Sequence, residues 1–432
     1  MIVPSQRLLL LAAIVALPAT TIAGLYPALA PASYLVLAIL AILAAIDAFL
    51  GTGRIHQIEL RTPPFLRYTK NVPAVLPVTI ENRSPHDLPM RLGAVMPPGV
   101  ESEKIVEDAT SAPGLSLLNW PCTGRVRGDQ VLRELHLETP SPLGLWQVRE
   151  PRAVQFTFRV YPNLRDRATA ALFHKTADAG LRLRRQIGKG REFDNLRQYM
   201  PGDSFEDIHW KATARRGFPV VKLYRVEHAQ EVYAVLDSSR LSAREGILES
   251  YVDAALHLAL VAERQGDHFG LVTFSDRTHR FVRARGGMEH FRLCRETIYN
   301  LRAERVSPDF REVFTSLQLN LRRRSLVVFF TSLDDALLAE TFEKEVPLLA
   351  RRHLVMVNVT ASPGTKPLFT GEKPANVEAL YEGLAGQMLW NRLHTLRIAL
   401  QNRGVKLTVV SPDRIKDQVT AQYLDVKRRQ AL

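Results

Sequence analysis

Residues 231–239 read EVYAVLDSS. Val232 to Leu236 is an apolar run with strand-forming composition that ends in Asp237-Ser238-Ser239. Downstream, Ile247 to Arg264 has helical spacing, and Phe269 to Phe274 is a second strand followed by Ser275-Asp276. Strand runs recur at Leu326 to Phe330, Leu354 to Val359 and Val405 to Val410, with helical segments at Ala336 to Ala350 and Glu378 to Gln401 between them. Strands alternating with helices predict a doubly wound, mostly parallel α/β sheet over 231–432. In such a sheet, ligands sit beyond the carboxyl ends of the strands. Asp237-Ser238-Ser239, Ser275-Asp276, Thr331-Ser332 and Thr360 are therefore the positions to inspect.

Upstream, residues 191–227 read REFDNLRQYMPGDSFEDIHWKATARRGFPVVKLYRVE. Met200-Pro201-Gly202-Asp203 has turn chemistry, Asp203 and Glu206 have capping-box spacing, and Gly217 stands where a helix ends. These signals predict one short helix over 204–216, with Phe205, Ile208 and Ala212 on its buried face. Arg197, Tyr199, Asp203, His209, Trp210 and Arg215 are then the candidate polar cluster, as an interaction surface or a structural docking element. A lone His with no nucleophile and no second base makes a poor acid/base catalyst.

Short alternating segments separated by Pro, Gly and Asn fill 54–162, among them residues 74–80 and 131–137, and predict an antiparallel, immunoglobulin-like β-sandwich. A basic connector and the signature segment occupy 163–230, with a helix expected over 163–189. At the N-terminus, Leu8 to Ala23 and Tyr34 to Leu50 are apolar and of near-spanning length, which predicts a two-helix transmembrane hairpin over 1–53. Asp47 falls where the second helix reaches the interface. Arg7 before the hairpin, and Arg54, Arg61, Arg67 and Lys70 after it, put both flanks in the cytoplasm by the positive-inside rule. A cleavable signal peptide ending near Ala28-Leu29-Ala30 is the alternative.

The run Phe193-x-x-Leu196-Arg197-x-Tyr199-x-Pro201-Gly202-Asp203, then Ile208-His209-Trp210-x-Ala212-x-Ala214-Arg215, resembles the signature of the domain-of-unknown-function-58 family of prokaryotic membrane proteins. Ser141-Pro142-Leu143-Gly144-Leu145 and a von Willebrand factor A-like stretch from Glu231 agree with it. The resemblance implies a multi-pass protein of the prokaryotic inner membrane, associated with a MoxR-type AAA+ ATPase. Asp237 and Ser239 resemble the Asp-x-Ser-x-Ser run that holds Mg²⁺ in von Willebrand A domains. The rest of that pattern is broken. Leu241 replaces the second Ser, Ser332 the later Asp, and no loop Thr stands near 307–310. Asp334 or Asp335 is the available substitute carboxylate.

The net charge of +13 suits an anionic membrane surface, at ~1 kcal/mol per near-surface charge. Clusters lie at Arg182 to Arg191, Arg322 to Arg324 and Lys427 to Arg429. No aromatic-interleaved or helix-in-groove motif accompanies the charge, so nucleic acid is not the expected partner. Cys122 and Cys294 are too few and too far apart for a disulfide framework. There is no Walker A loop, His-Glu-x-x-His, Cys-x-x-Cys or Gly-x-Ser-x-Gly. The reading is a membrane-anchored, cytoplasm-facing protein-interaction adaptor. Two alternatives stay open: a divalent-metal-dependent receptor or enzyme using the Asp237 loop, and a basic membrane-surface or nucleic-acid binder.

Overall fold

The computed structural model describes residues 1–164, 187–188, 192–225, 229–244, 246–362, 364–367 and 377–429. Most of the expected connector helix over 163–189, and every basic residue of the cluster from Arg182 to Arg191, lie outside the described residues; Ile187–Gly188, inside the expected helix, is a short strand. Two compact units are present, Met1–Asn163 and Leu164–Leu432.

In the first unit, two apolar helical spans, Gln6–Leu25 and Pro27–Ile55, have mean hydropathies of 2.3 and 2.4 and are long enough to cross a membrane. They expose Leu10, Ile14, Leu17, Leu35, Ile42 and Phe49. Two sheets follow. One contains Leu88–Ala94, Val106–Ser111, Gly128–Pro140 and Trp146–Tyr161; the other contains Ile58–Arg61, Pro73–Asn82, Gly114–Gly124 and Val100–Glu101. Period-two alternation turns Leu76, Val78 and Ile80 inward, and they share one core with Trp120, Leu135, Leu137, Phe156 and Phe158.

The hairpin is fastened to the first of these sheets at both ends. Ile2–Pro4 pairs antiparallel with Trp146–Val148 before the first helix begins. At the far end Asp47 is fully buried, where the sequence suggested a place at the membrane interface. Its carboxylate accepts from Ser141 Oγ at 2.5 Å, Leu143 N at 2.7 Å and Leu145 N at 3.1 Å. Trp146 Nε1 donates to the Ala44 carbonyl at 2.8 Å, and Ser5 Oγ to the Gly144 carbonyl at 2.6 Å. The Ser141–Leu145 motif is thus a clasp for a carboxylate 94 residues upstream of its serine. Gly51 permits the contact, since a Cβ there would lie 3.1 Å from both Ser141 Cβ and Val148 Cγ2.

The second unit is built on a six-stranded sheet. Its strands are β1 (Glu231–Asp237), β2 (His268–Phe274), β3 (Thr278–Arg285), β4 (Ser325–Thr331), β5 (Leu354–Val359) and β6 (Lys406–Val409). Their order is β3-β2-β1-β4-β5-β6. β3 is antiparallel to β2, and the other pairings are parallel. Both faces are covered. Val232, Ala234 and Leu236 pack with α1 (Ile247–Arg264), α2 (Met288–Ile298) and α6 (Ile415–Arg428). Tyr233 and Val235 pack with α3 (Phe310–Asn320), α4 (Ala336–Ala350) and α5 (Val377–Gln401). β1 is therefore apolar from Val232 to Leu236, because that stretch has no solvent face. Cys122 and Cys294 are free and buried.

The signature segment forms its own small sheet, in which Glu192–Gln198 pairs with Val220–Arg225 and Ile187–Gly188 adds a short edge. The single helix expected over 204–216 is broken. A 3₁₀ turn spans Phe205–Asp207 and the α-helix spans only Trp210–Arg216. Between them Ile208 is extended and bridges Val221, which buries its β-branched side chain. His209 is the N-cap, and Gly217 ends the helix at φ 73°.

Candidate functional site: the signature turn and the carboxyl edge of the sheet

Asp203 does not cap a helix. It closes the turn before it, accepting from Met200 N at 2.8 Å and from Arg197 Nη2 at 2.6 Å. Arg197 holds the Asp203 carboxyl below the usual carboxylate range, with the Met200 amide adding to the effect. Tyr199 stacks on Phe205, with ring centroids 5.8 Å apart and an interplanar angle of 29°. His209 spends Nδ1 on the Ala212 amide at 3.0 Å, which makes it a cap. Arg215 lies exposed in the last helical turn.

The structure thus brings Arg197, Asp203, Tyr199 and Phe205 into one locked turn and leaves His209 and Arg215 outside it. Phe205, expected in the core, is 73% exposed, Trp210 69%, Met200 62% and Phe218 40%. Lys211, Arg215 and Arg216 are exposed among them.

At the carboxyl edge of the sheet, Asp237 is fully buried. Its Oδ1 accepts from Ser239 N at 2.8 Å and its Oδ2 from Thr331 Oγ1 at 2.6 Å. Burial outweighs these bonds and pushes its carboxyl above the ordinary range. Ser239 Oγ accepts from Leu241 N at 3.3 Å and caps the 3₁₀ turn Arg240–Ser242. Ser242 Oγ donates to the Asp237 carbonyl at 2.6 Å.

The neighbouring strand ends are tied by two arginines of the β1–α1 loop. Arg244 Nη2 lies 2.9 Å from Asp334 Oδ2 and 3.2 Å from Ser332 Oγ, and Nη1 bonds Ser362 Oγ. Arg240 Nη2 pairs with Asp335 at 2.9 Å, and its Nε donates to Ser307 Oγ at 2.9 Å. Asp334 and Asp335, the substitute carboxylates, are each paired with a guanidinium.

The sequence singled out Ser275 and Asp276 by their place after β2, but missed His279 and Glu304, which the fold brings beside them. His279 follows from reading residues 278–285 as a strand. Glu304 sits in a loop with no periodicity to mark it.

Residues 195–366 match the family described as "Protein of unknown function DUF58". The family resemblance carried by the signature is shown over that span. No curated protein matches the chain in sequence. Among solved structures, the chain is similar to the SpRpn10 VWA domain at 11% identity, covering 45% of this chain and 95% of that one, with a TM-score of 0.28. It is similar to PapD-like domain 7 of human CEP192 at 12% identity, covering 25% and 87%, with a TM-score of 0.20. Proximal thread matrix protein 1 from the mussel byssus is 12% identical, with 44% of each chain covered and a TM-score of 0.28. Likenesses this low in score say nothing of function.

Proposed function

We propose that the chain is a membrane-anchored adaptor whose signature turn is a protein-docking surface. The observation that carries this is the exposure of Met200, Phe205, Trp210 and Phe218 on a segment stiffened by the Arg197–Asp203 pair. Large apolar side chains held rigidly in water favour no folded state of the chain alone. They do supply the aromatic anchors, ringed by cations, from which binding hot spots are made.

In this reading the second unit is a doubly wound, von Willebrand A-like domain. The two sheets of the first are an immunoglobulin-like sandwich, and the hairpin spans a prokaryotic inner membrane with both flanks cytoplasmic. The hairpin is retained in this reading, which keeps the strand Ile2–Pro4 on its sheet. The partner class, a MoxR-type AAA+ ATPase, comes from the family resemblance. On the same reading the Asp237 loop is a structural latch, in which Arg244 pairs with Asp334 and ties the neighbouring strand ends together.

The test is co-purification from detergent-solubilised membranes, comparing wild type with the double variant Phe205→Ala, Trp210→Ala. Recovery of an ATPase with the wild type and its loss with the variant, at unchanged melting temperature, is expected. Equal recovery with both would move the docking surface elsewhere, and recovery with neither would remove the ATPase as partner.

A further inference from the structure

A third group of side chains gathers at the carboxyl edge, apart from the signature turn. Ser275 and Asp276 open the connection from β2 to β3, His279 is the second residue of β3, and Glu304 lies in the loop between α2 and α3. Main-chain bonds fix the frame. Ser275 N donates to the Arg277 carbonyl at 3.0 Å, Asp309 N to the Ser275 carbonyl at 3.1 Å, and Glu304 N to the Ser238 carbonyl at 2.7 Å. Ser275 is fully buried. Its Oγ lies 2.9 Å from Asp276 Oδ1, 2.9 Å from Glu304 Oε2 and 2.5 Å from His279 Nε2. His279 Nε2 is 3.4 Å from Glu304 Oε2 and 3.8 Å from Asp276 Oδ1. Ligand atoms of Asp276, His279 and Glu304 all fall within 4.8 Å of one another.

The Ser275 hydroxyl donates once, yet carboxylate oxygens of both Asp276 and Glu304 lie 2.9 Å from it. One carboxylate is left without that hydrogen, and a cation at the centre of the group would serve both. A Ser-His-carboxylate relay does not fit, because both carboxylates approach Nε2, the nitrogen already facing the hydroxyl, and Ser275 is sealed from solvent.

A cation does fit. Ligands about 2.1 Å from a common centre are roughly 3.0 Å apart at octahedral corners and roughly 3.4 Å at tetrahedral ones. The five distances here, 2.5 to 3.8 Å, bracket both.

We infer that Ser275, Asp276, His279 and Glu304 form a binding site for a divalent transition cation, Mn²⁺ or Zn²⁺. One imidazole among oxygens selects such an ion over Ca²⁺ or Mg²⁺, which prefer oxygen alone. Asp276 and Glu304 are about half exposed, so further coordination positions face solvent. The bound ion would staple the β2–β3 connection to the loop before α3.

The experiment uses the full chain in detergent, stripped with EDTA and dialysed. Mn²⁺ is titrated in while electron paramagnetic resonance reads the free ion, and Zn²⁺ is then added as competitor. One Mn²⁺ per chain, displaced by Zn²⁺, is expected. His279→Gln and Glu304→Gln should each weaken binding by about tenfold or more without altering the metal-free melt, and Asp237→Asn should leave binding intact. No stoichiometric binding of either ion, or binding unchanged in both glutamine variants, overturns the site. Binding lost only in Asp237→Asn also overturns it and moves the ion to the β1 loop. Should one glutamine variant fail to fold, the other decides.

Discussion

Asp237 and Asp47 are both fully buried carboxylates, and their surroundings predict opposite behaviour. For Asp237, burial raises the folded pKa above the ordinary aspartate value of 3.8. An acid shifted upward contributes stability that is present below the unfolded pKa and lost as pH rises through the folded one. Asp237→Asn removes the buried charge and can still accept from Ser239 N. At pH about 7, well above the unfolded carboxylate range, it should melt at or above the wild type, with the gap narrowing as pH falls towards about 4. Calorimetry across that range checks this; a variant that melts lower at neutral pH would mean a cation pairs with Asp237. Asp47 instead receives three donors, so Asp47→Ala leaves Ser141 Oγ and the amides of Leu143 and Leu145 unserved. It should destabilise the first unit by about 3 kcal/mol, read as a shift in the denaturant midpoint. Asp237 was legible in the sequence because a strand run ends on it. The Asp47 clasp was not, because local spacing carries no trace of a partner 94 residues away.

Among the elements, α1 carries the clearest pH signature. His257, on its buried face, has a pKa lowered from 6.5 to about 4, chiefly by burial. The fold holds its neutral form, so stability is complete above the unfolded value and is lost as pH falls from 6.5 towards about 4. The loss amounts to roughly 3 kcal/mol for a shift of this size, and His257→Leu should flatten that slope in acid melts. Gly51→Leu tests the helix contact. The added side chain meets Ser141 and Val148 and should release Trp146 from the Ala44 carbonyl, seen as a red shift in tryptophan emission. Elements buried on both faces were the most legible. The ranges read for α1 and α4 coincide with the observed ones, β2 differs by a residue at one end, and β1 and β4 by a residue at each end. β3 was missed because it is an edge strand with Arg280, Arg283 and Arg285 interleaved, a pattern with no apolar run. α3 was missed although Asp309 caps it through Glu312 N and Phe310, Val313, Phe314 and Leu317 repeat at helical spacing. The signature helix starts late because Ile208, extended and bridged to Val221, is buried in that conformation.

At the scale of the whole molecule, the apolar spans Gln6–Leu25 and Pro27–Ile55 predict that the chain stays in the membrane pellet through carbonate extraction at high pH. Recovery in the supernatant would refute the spanning hairpin. The composition made these spans plain, because almost every position between Leu8 and Leu50 is apolar. The way they join the sheet was hidden, since Ile2–Pro4 is too short to read as a strand without its partner Trp146–Val148. That junction fixes a direction in space. With the entry to the first helix hydrogen-bonded to one strand, and the exit of the second clasped next to the same strand, the sheet cannot swivel about the hairpin as a bead does on a string. In a lipid bilayer the strands of the first unit therefore inherit the membrane normal as their compass. In oriented films, polarised infrared absorption of those strands should show a dichroism that Asp47→Ala abolishes.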